Sequence, residues 1–159
     1  MPGFTKSFLF PDINVWLALT YGAHVHHVVA SDWFDTIDAD ARLCFCRFTQ
    51  LGLLRLLTAE AVMDDEVMNQ PEAWGVYDRW LEDERVSFLE EPPGLERRFR
   101  AMTRLRQAAP NVWADAYLAA FAATSQLTLV TFDRAFRTKA APLVLLETVD
   151  EEPERPRRR

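Results

Sequence analysis

Thirteen residues near the amino terminus, Ser7-Phe8-Leu9-Phe10-Pro11-Asp12-Ile13-Asn14-Val15-Trp16-Leu17-Ala18-Leu19, form an apolar run broken by a single carboxylate. Phe8 to Phe10 predict a short, fully buried strand, because three bulky apolar residues in succession leave no polar face for water. Pro11 holds Phe10 extended and brings no amide proton, so ladder pairing is expected to end there. Asp12 follows at once, and Ile13 to Leu19 are expected to begin a helix. A buried strand, an acid and a helix in immediate succession fit an open α/β sheet, in which ligands bind beyond the carboxyl ends of the strands.

The rest of the chain alternates in the same way. A helix is expected from the His24 region to near Asp38, with Trp33, Phe34 and Ile37 on its apolar side. Arg42 to Cys46 predict a strand, and Thr49 an N-cap for a helix whose buried side is Leu51, Leu53, Leu54, Leu56 and Leu57. Met63 to Gln70 are expected as a polar connection, and Pro71 as the opening of a helix through Trp80 and Leu81. Val86 to Leu89 return as a strand. A helix through Leu95, Phe99, Met102 and Leu105 is expected to end by Pro110, and another from Asn111 through Ser125. Leu127 to Thr131 and Leu143 to Leu146 complete the strands, with a short helical turn through Phe136 between them. This order predicts an α/β fold with a mostly parallel central sheet covered by helices on both faces.

A length of 159 residues suits one core, expected to span residues 1–149, with the charged, proline-bearing residues 150–159 as a disordered tail. Hydrophobic residues make up 49% of the chain, too many for a disordered polymer. Ile13 to Ser31 is free of Asp, Glu, Lys and Arg, but Gly22 and three histidines make it a poor bilayer span, so no membrane insertion is expected. The amino terminus lacks the pattern of a secretory signal, which predicts a cytoplasmic protein. Cys44 and Cys46 are expected as reduced core thiols on opposite faces of their strand. A net charge of −6 argues against a generally basic nucleic-acid-binding surface and confines any such contact to a local patch.

Three isolated acids stand at element ends. Asp12 ends the first strand, and Asp133 ends the strand Leu127 to Thr131. Asp115 is the only charged residue between Asn111 and Gln126. Each has a plain reading as a helix cap or first-turn acid. Gathered at one edge, they would repel one another unless a cation sat among them. Oxygen ligands without paired Cys or His favour Mg²⁺ or Mn²⁺ over zinc, and such a site suits phosphodiester hydrolysis.

The run Phe10-Pro11-Asp12-Ile13-Asn14-Val15-Trp16-Leu17-Ala18-Leu19, the spacing His24 to His27, Thr49 to Leu57, Trp113 to Ala122 and Leu129-Val130-Thr131-Phe132-Asp133-Arg134 together resemble the PIN-domain ribonucleases, most closely the VapC-type toxins of bacterial toxin–antitoxin pairs. The resemblance runs from about Phe8 to Leu146 in the same order. It implies a PIN-like three-layer sandwich, a Mg²⁺- or Mn²⁺-dependent endoribonuclease, a homodimer, and a cognate antitoxin as partner. It also implies that Asp12 and Asp115 are the principal metal ligands, with Asp133 completing the pocket and Thr131 supporting its edge. Many PIN domains carry glutamate where this chain has Gln50, although some VapC-type toxins share the glutamine. Its carbonyl can bind a cation or orient water, but it adds no charge.

Other signals point elsewhere. His24, His26 and His27 lack the convergent partners of a zinc site. Arg97, Arg100 and Arg104 share a helical face that reads as solvated, with RNA phosphate contact as the functional alternative, joined by Arg134 and Arg137. The five tryptophans are expected in the core. Two rivals stand beside the nuclease reading. Gln50 keeps open a catalytically weak or inactive PIN-like module that holds RNA or a protein without cutting. A phosphoacceptor receiver domain would need paired acids after the first strand and a lysine after the last, which Leu143 to Glu147 do not offer.

Overall fold

The computed structural model describes residues 7–140 and 142–148; the expected tail at 150–159 lies outside them. The described chain runs β1 (Phe8–Pro11), α1 (Ile13–Thr20), α2 (His27–Asp35), β2 (Arg42–Phe45), α3 (Arg47–Leu57), α4 (Glu60–Met63), a 3-10 turn at Asp64–Glu66, α5 (Gln70–Glu82), β3 (Val86–Phe88), α6 (Leu95–Met102), α7 (Val112–Thr124), β4 (Thr128–Thr131), a second 3-10 turn at Arg134–Thr138, and β5 (Leu143–Leu145). The five strands form one parallel sheet in the order β3-β2-β1-β4-β5. β1 is central: Leu9 pairs with Leu43 on one side and Thr128 on the other, and Phe10 with Leu129. From β1 the chain winds outward through β2 and β3, then crosses back to β4 and β5. The direction of winding therefore reverses between β1 and β4, and a crevice opens beyond their carboxyl ends.

Alternation along the strands fills two layers. Leu9, Leu43, Phe45 and Val130 face α1, α2, α3 and α5, while Phe10, Cys44 and Leu129 face α6 and α7. Trp16 stacks on Phe45 at 3.9 Å between ring centroids on the first side, and Phe10 on Phe121 at 5.0 Å on the second. Full burial of a side chain such as Phe10 contributes about 1.5–3 kcal/mol. This is the expected three-layer α/β sandwich, and the described sheet is wholly parallel.

Several local expectations need correction. Phe8, the first residue of β1, is 45% exposed. Pro11 still pairs with Val130, because a proline at a strand end lacks only the donor. α2 ends at Asp35 rather than near Asp38, and α6 at Met102, which leaves Leu105 exposed. α3 starts earlier than Thr49: Cys46 is its N-cap, and Thr49 reaches back from the third helical position, its Oγ1 accepting from the Cys46 N–H at 3.0 Å. Leu51 lies on the outer side of α3 and is exposed. The connection after Met63 holds a 3-10 turn, and a short helix precedes it. Trp74 and Trp113 are exposed, unlike the core tryptophan Trp16. Cys44 and Cys46 are free and buried, but both sit in the same apolar cluster, as residues two apart on an extended strand must.

Candidate active site

Asp12 stands at the crevice where the winding reverses. Its N–H still pairs with the Val130 carbonyl at 2.9 Å, so the residue is held by the sheet. Its extended backbone makes it the N-cap of α1, with Oδ1 accepting from the Asn14 N–H at 2.7 Å. Oδ2 accepts from the hydroxyl of Thr131 at 2.6 Å, from the end of β4. That hydroxyl oxygen in turn accepts from the Asp133 N–H at 3.0 Å, and Asp133 Oδ1 caps the following 3-10 turn through the Ala135 N–H at 2.9 Å. Asp12 and Asp133 are thus helix caps. That role uses one acceptor site on a capping oxygen and leaves others free.

Asp12 is only 7% exposed, and no cationic side chain among the described residues bonds it. Burial pushes its carboxyl above the usual carboxylate range, against the pull of the Thr131 and Asn14 hydrogen bonds, and the charges of Asp133 and Asp115 push it further the same way. Asp12 is therefore close enough to each of the other two expected acids to feel its charge. Asp12, Thr131 and Asp133 line one cleft of about 410 Å³ together with Asn14, His24, Val25, His26 and Phe132. Asp115, in the first turn of α7, is not part of that lining, and Lys139 holds its Oδ2 at 3.1 Å. Among the described residues no set of three or more His, Cys, Asp or Glu side chains converges as a ready-made ion cage.

The remaining expected site residues are not among those that line this cleft. Gln50 is buried on α3, and its Oε1 accepts from Arg47 at 2.5 Å. Tyr77 is its other polar neighbour: burial raises the phenol, while Gln50 and the Arg47 charge pull it down. Arg97 is exposed on α6, and Arg100 and Arg104 line a different cleft beside Trp113. Arg134 is exposed next to Asp133, at the edge of the acidic cleft.

Two groups at the site were not legible as such. His24 and His26 wall the cleft, the His26 N–H donating to His24 Nδ1 at 3.0 Å and the His26 ring lying 4.8 Å from that of Phe132. Burial, with the other two histidines, lowers the basicity of His24. His27 instead packs at the start of α2, its Nδ1 meeting the Ala18 carbonyl at 2.7 Å. Lys139 follows the 3-10 turn, and its pairing with Asp115 depends on how β4 and α7 sit side by side, which no local spacing reveals.

A family model described as "PIN domain" matches residues 9–142. Ribonuclease VapC41 of Mycobacterium tuberculosis is 46% identical over 132 residues, covering 80% of this chain and 90% of that protein. Two solved structures share the fold. The VapBC2 complex of Rickettsia felis, bound to a DNA fragment from its promoter, aligns with a TM-score of 0.62 at 13% identity, over 87% of this chain and 96% of the matched one. The Mycobacterium tuberculosis toxin VapC20, described as cleaving the sarcin–ricin loop, aligns at 0.61 and 16% identity, over 82% and 93%. No helix among the described residues is long and apolar enough to cross a membrane. The match covers four of the five strands and both helical layers, and the chain belongs to the PIN domain family.

Proposed function

We propose that this chain is a Mg²⁺- or Mn²⁺-dependent endoribonuclease and the toxin of a toxin–antitoxin pair, acting in the cytoplasm. The observation that carries the reading is Asp12: a desolvated carboxylate, without a cationic partner among the described residues, in a cleft that it shares with Asp133 and near enough to Asp115 to feel its charge. A buried carboxylate of this kind is costly unless a cation meets it. The donor set fits a hard divalent ion, being carboxylate oxygen with a hydroxyl and no thiolate.

Asp12 and Asp115 would hold the ion, with Asp133 completing the acidic edge. Bound there, Mg²⁺ or Mn²⁺ would polarise the phosphoryl oxygen and lower the pKa of the attacking water. Thr131 keeps Asp12 and Asp133 in register by bonding both. Arg134, beside Asp133, offers a cation to a substrate phosphate. Gln50, tied to Arg47, adds no negative charge, which favours one ion over two. The identity to a named VapC ribonuclease, and the likeness to VapBC complexes, support RNA as substrate and a cognate antitoxin as partner. A homodimer is part of the same proposal.

The test is cleavage of a single-stranded RNA by the purified protein with Mg²⁺, with Mn²⁺ and with excess chelator. Cutting with either ion that stops with chelator, and is abolished in folded Asp12→Asn protein, is expected. Cutting that persists in chelator, or in that variant, would overturn the assignment.

A further inference from the structure

Beyond the acidic cleft, a second surface lies where α6 meets the start of α7. Trp113, in the first turn of α7, is 57% exposed, and its ring meets the Phe99 ring edge-on at 6.0 Å between centroids. It separates two clefts, one of about 580 Å³ walled also by Arg100 and Arg104, the other of about 440 Å³ bordered by the exposed Leu105. Packing on Phe99 uses only part of the indole, and the rest of a large apolar ring is left in water.

The charge around it is unlike the rest of the chain. Residues 97–106 hold five arginines and no acid, in a protein of net charge −6. The one ion pair here, Arg100 to Glu96 at 3.4 Å, joins side chains 74% and 80% exposed, so it is weak and readily exchanged for a better anion. An exposed ring flanked by guanidinium groups is the chemistry that receives an unpaired nucleotide, the base stacking on the ring and the phosphates meeting the cations. A second copy of this chain is a poorer occupant, because a two-fold contact would set the arginine run against itself.

We propose that Trp113, with Arg100 and Arg104, forms a stacking platform for an unpaired base of single-stranded RNA that continues to the acidic cleft. The inference rests on the nuclease reading and deepens it. Trp113 and Asp115 both belong to the first turn of α7, about 200° apart around the helix, so a strand on the platform reaches the acids by crossing the amino-terminal end of α7. The platform selects unpaired over duplex RNA, since a stacked base must be free of its partner.

The test is binding of a fluorescently labelled 20-nucleotide single-stranded RNA to full-length Asp12→Asn protein, followed by anisotropy, beside cleavage by the otherwise native chain. Trp113→Ala is expected to weaken binding about tenfold and Trp113→Phe to restore most of it, as stacking requires. Arg100→Gln and Arg104→Gln should each flatten the dependence of log affinity on log salt by about 0.7. A duplex of the same length should bind no tighter to the Trp113 protein than to the Trp113→Ala protein. Unchanged single-strand affinity in Trp113→Ala overturns the platform while leaving cleavage, and so the nuclease reading, standing. A change in sedimentation mass with Trp113→Ala and none in RNA affinity assigns the surface to a protein contact and also overturns it. Absence of any cleavage by the native chain overturns the nuclease reading itself.

Discussion

Thr131 donates its hydroxyl proton to Asp12 at 2.6 Å across 119 residues of sequence, and the same oxygen accepts the Asp133 N–H at 3.0 Å. One fully buried hydroxyl thus ties the ends of β1 and β4 and the start of the following turn. The spacing of the two acids is set by this oxygen rather than by the acids themselves.

Thr131→Val keeps the shape and removes the bond. It leaves a buried carboxylate oxygen and a backbone N–H without their partner, at a cost of about 1–3 kcal/mol. Chemical denaturation should show a lower midpoint at unchanged slope, and Thr131→Ser should recover most of the loss. A Val variant as stable as the native chain would show that the hydroxyl holds nothing.

The raised pKa of Asp12 makes a prediction about the metal-free protein. The folded value lies above the ordinary 3.8, so the folded state binds more protons than the unfolded one between the two. Stability contributed by the protonated form is lost as pH rises through that window. Asp12→Asn does not titrate and its Oδ1 can still cap Asn14, but its amide cannot accept the Thr131 hydroxyl proton. The melting point of the variant relative to that of the native chain should therefore be highest at neutral pH and fall as pH falls toward 3.8. Adding Mn²⁺ should raise the melting point of the native chain and not that of the variant, since a ligand stabilises only the state that binds it. Equal responses to Mn²⁺ would remove Asp12 from the ligand set.

Asp83 titrates in the opposite sense. Arg85 binds it through Nε at 3.1 Å and through a terminal nitrogen at 2.8 Å, and these hydrogen bonds hold its carboxyl below the usual range. Its contribution is present above the unfolded value near 3.8 and is lost as pH falls through the lower folded value. Asp83→Asn should cost about 1 kcal/mol at pH 7, as expected for a two-toothed, partly buried pair. The difference should close in acid, and a pH-independent cost would mean that the pair acts by packing alone.

Much of this architecture was legible in the residues. Leu9 and Phe10 had no polar neighbour to turn outward, so the central strand and the acid at its end followed. Asp115 and Asp133 stood out for the same reason, each alone in apolar sequence. Exposure of Leu51, Trp74 and Trp113 was not legible, because periodicity gives the spacing of a helix face but not how far the sheet extends to cover it. Thr49 was placed at a cap because its own side chain favours that position, whereas the hydrogen bond it makes to Cys46 needs it three residues further on. The contacts of Lys139, His24 and His26 arise from the crossing of elements far apart in the chain.

Gly52 marks the close crossing of α1 and α3. A Cβ there would lie 2.7 Å from Ile13 Cγ1 and nearer still to its Cδ1. Gly52→Ala gains roughly 1 kcal/mol of helix propensity, but it forces Ile13, the neighbour of Asp12, off its rotamer or moves the helices apart. Overpacking of this kind costs about 1–3 kcal/mol. A net loss of stability is expected, with recovery when Ile13→Ala is added. Additive effects in that double-mutant cycle would show that the two positions do not meet.

Lys139 holds the place that a divalent ion bound at Oδ2 of Asp115 would need. Its ammonium lies 3.1 Å from Oδ2, on side chains 37% and 28% exposed, so the pair is a screened one worth less than about 1 kcal/mol. Binding an ion through Oδ2 of Asp115 must break it, and the cost appears as weaker ion affinity. Lys139→Gln removes the competing charge without adding an acid, so Mn²⁺ titrated calorimetrically should bind severalfold tighter, up to about fivefold. The gain should vanish in an Asp115→Asn background, because no carboxylate remains for the lysine to occupy. Unchanged or weaker Mn²⁺ binding in Lys139→Gln would mean that the lysine does not compete, and that Asp115 meets the ion, if at all, through its other oxygen.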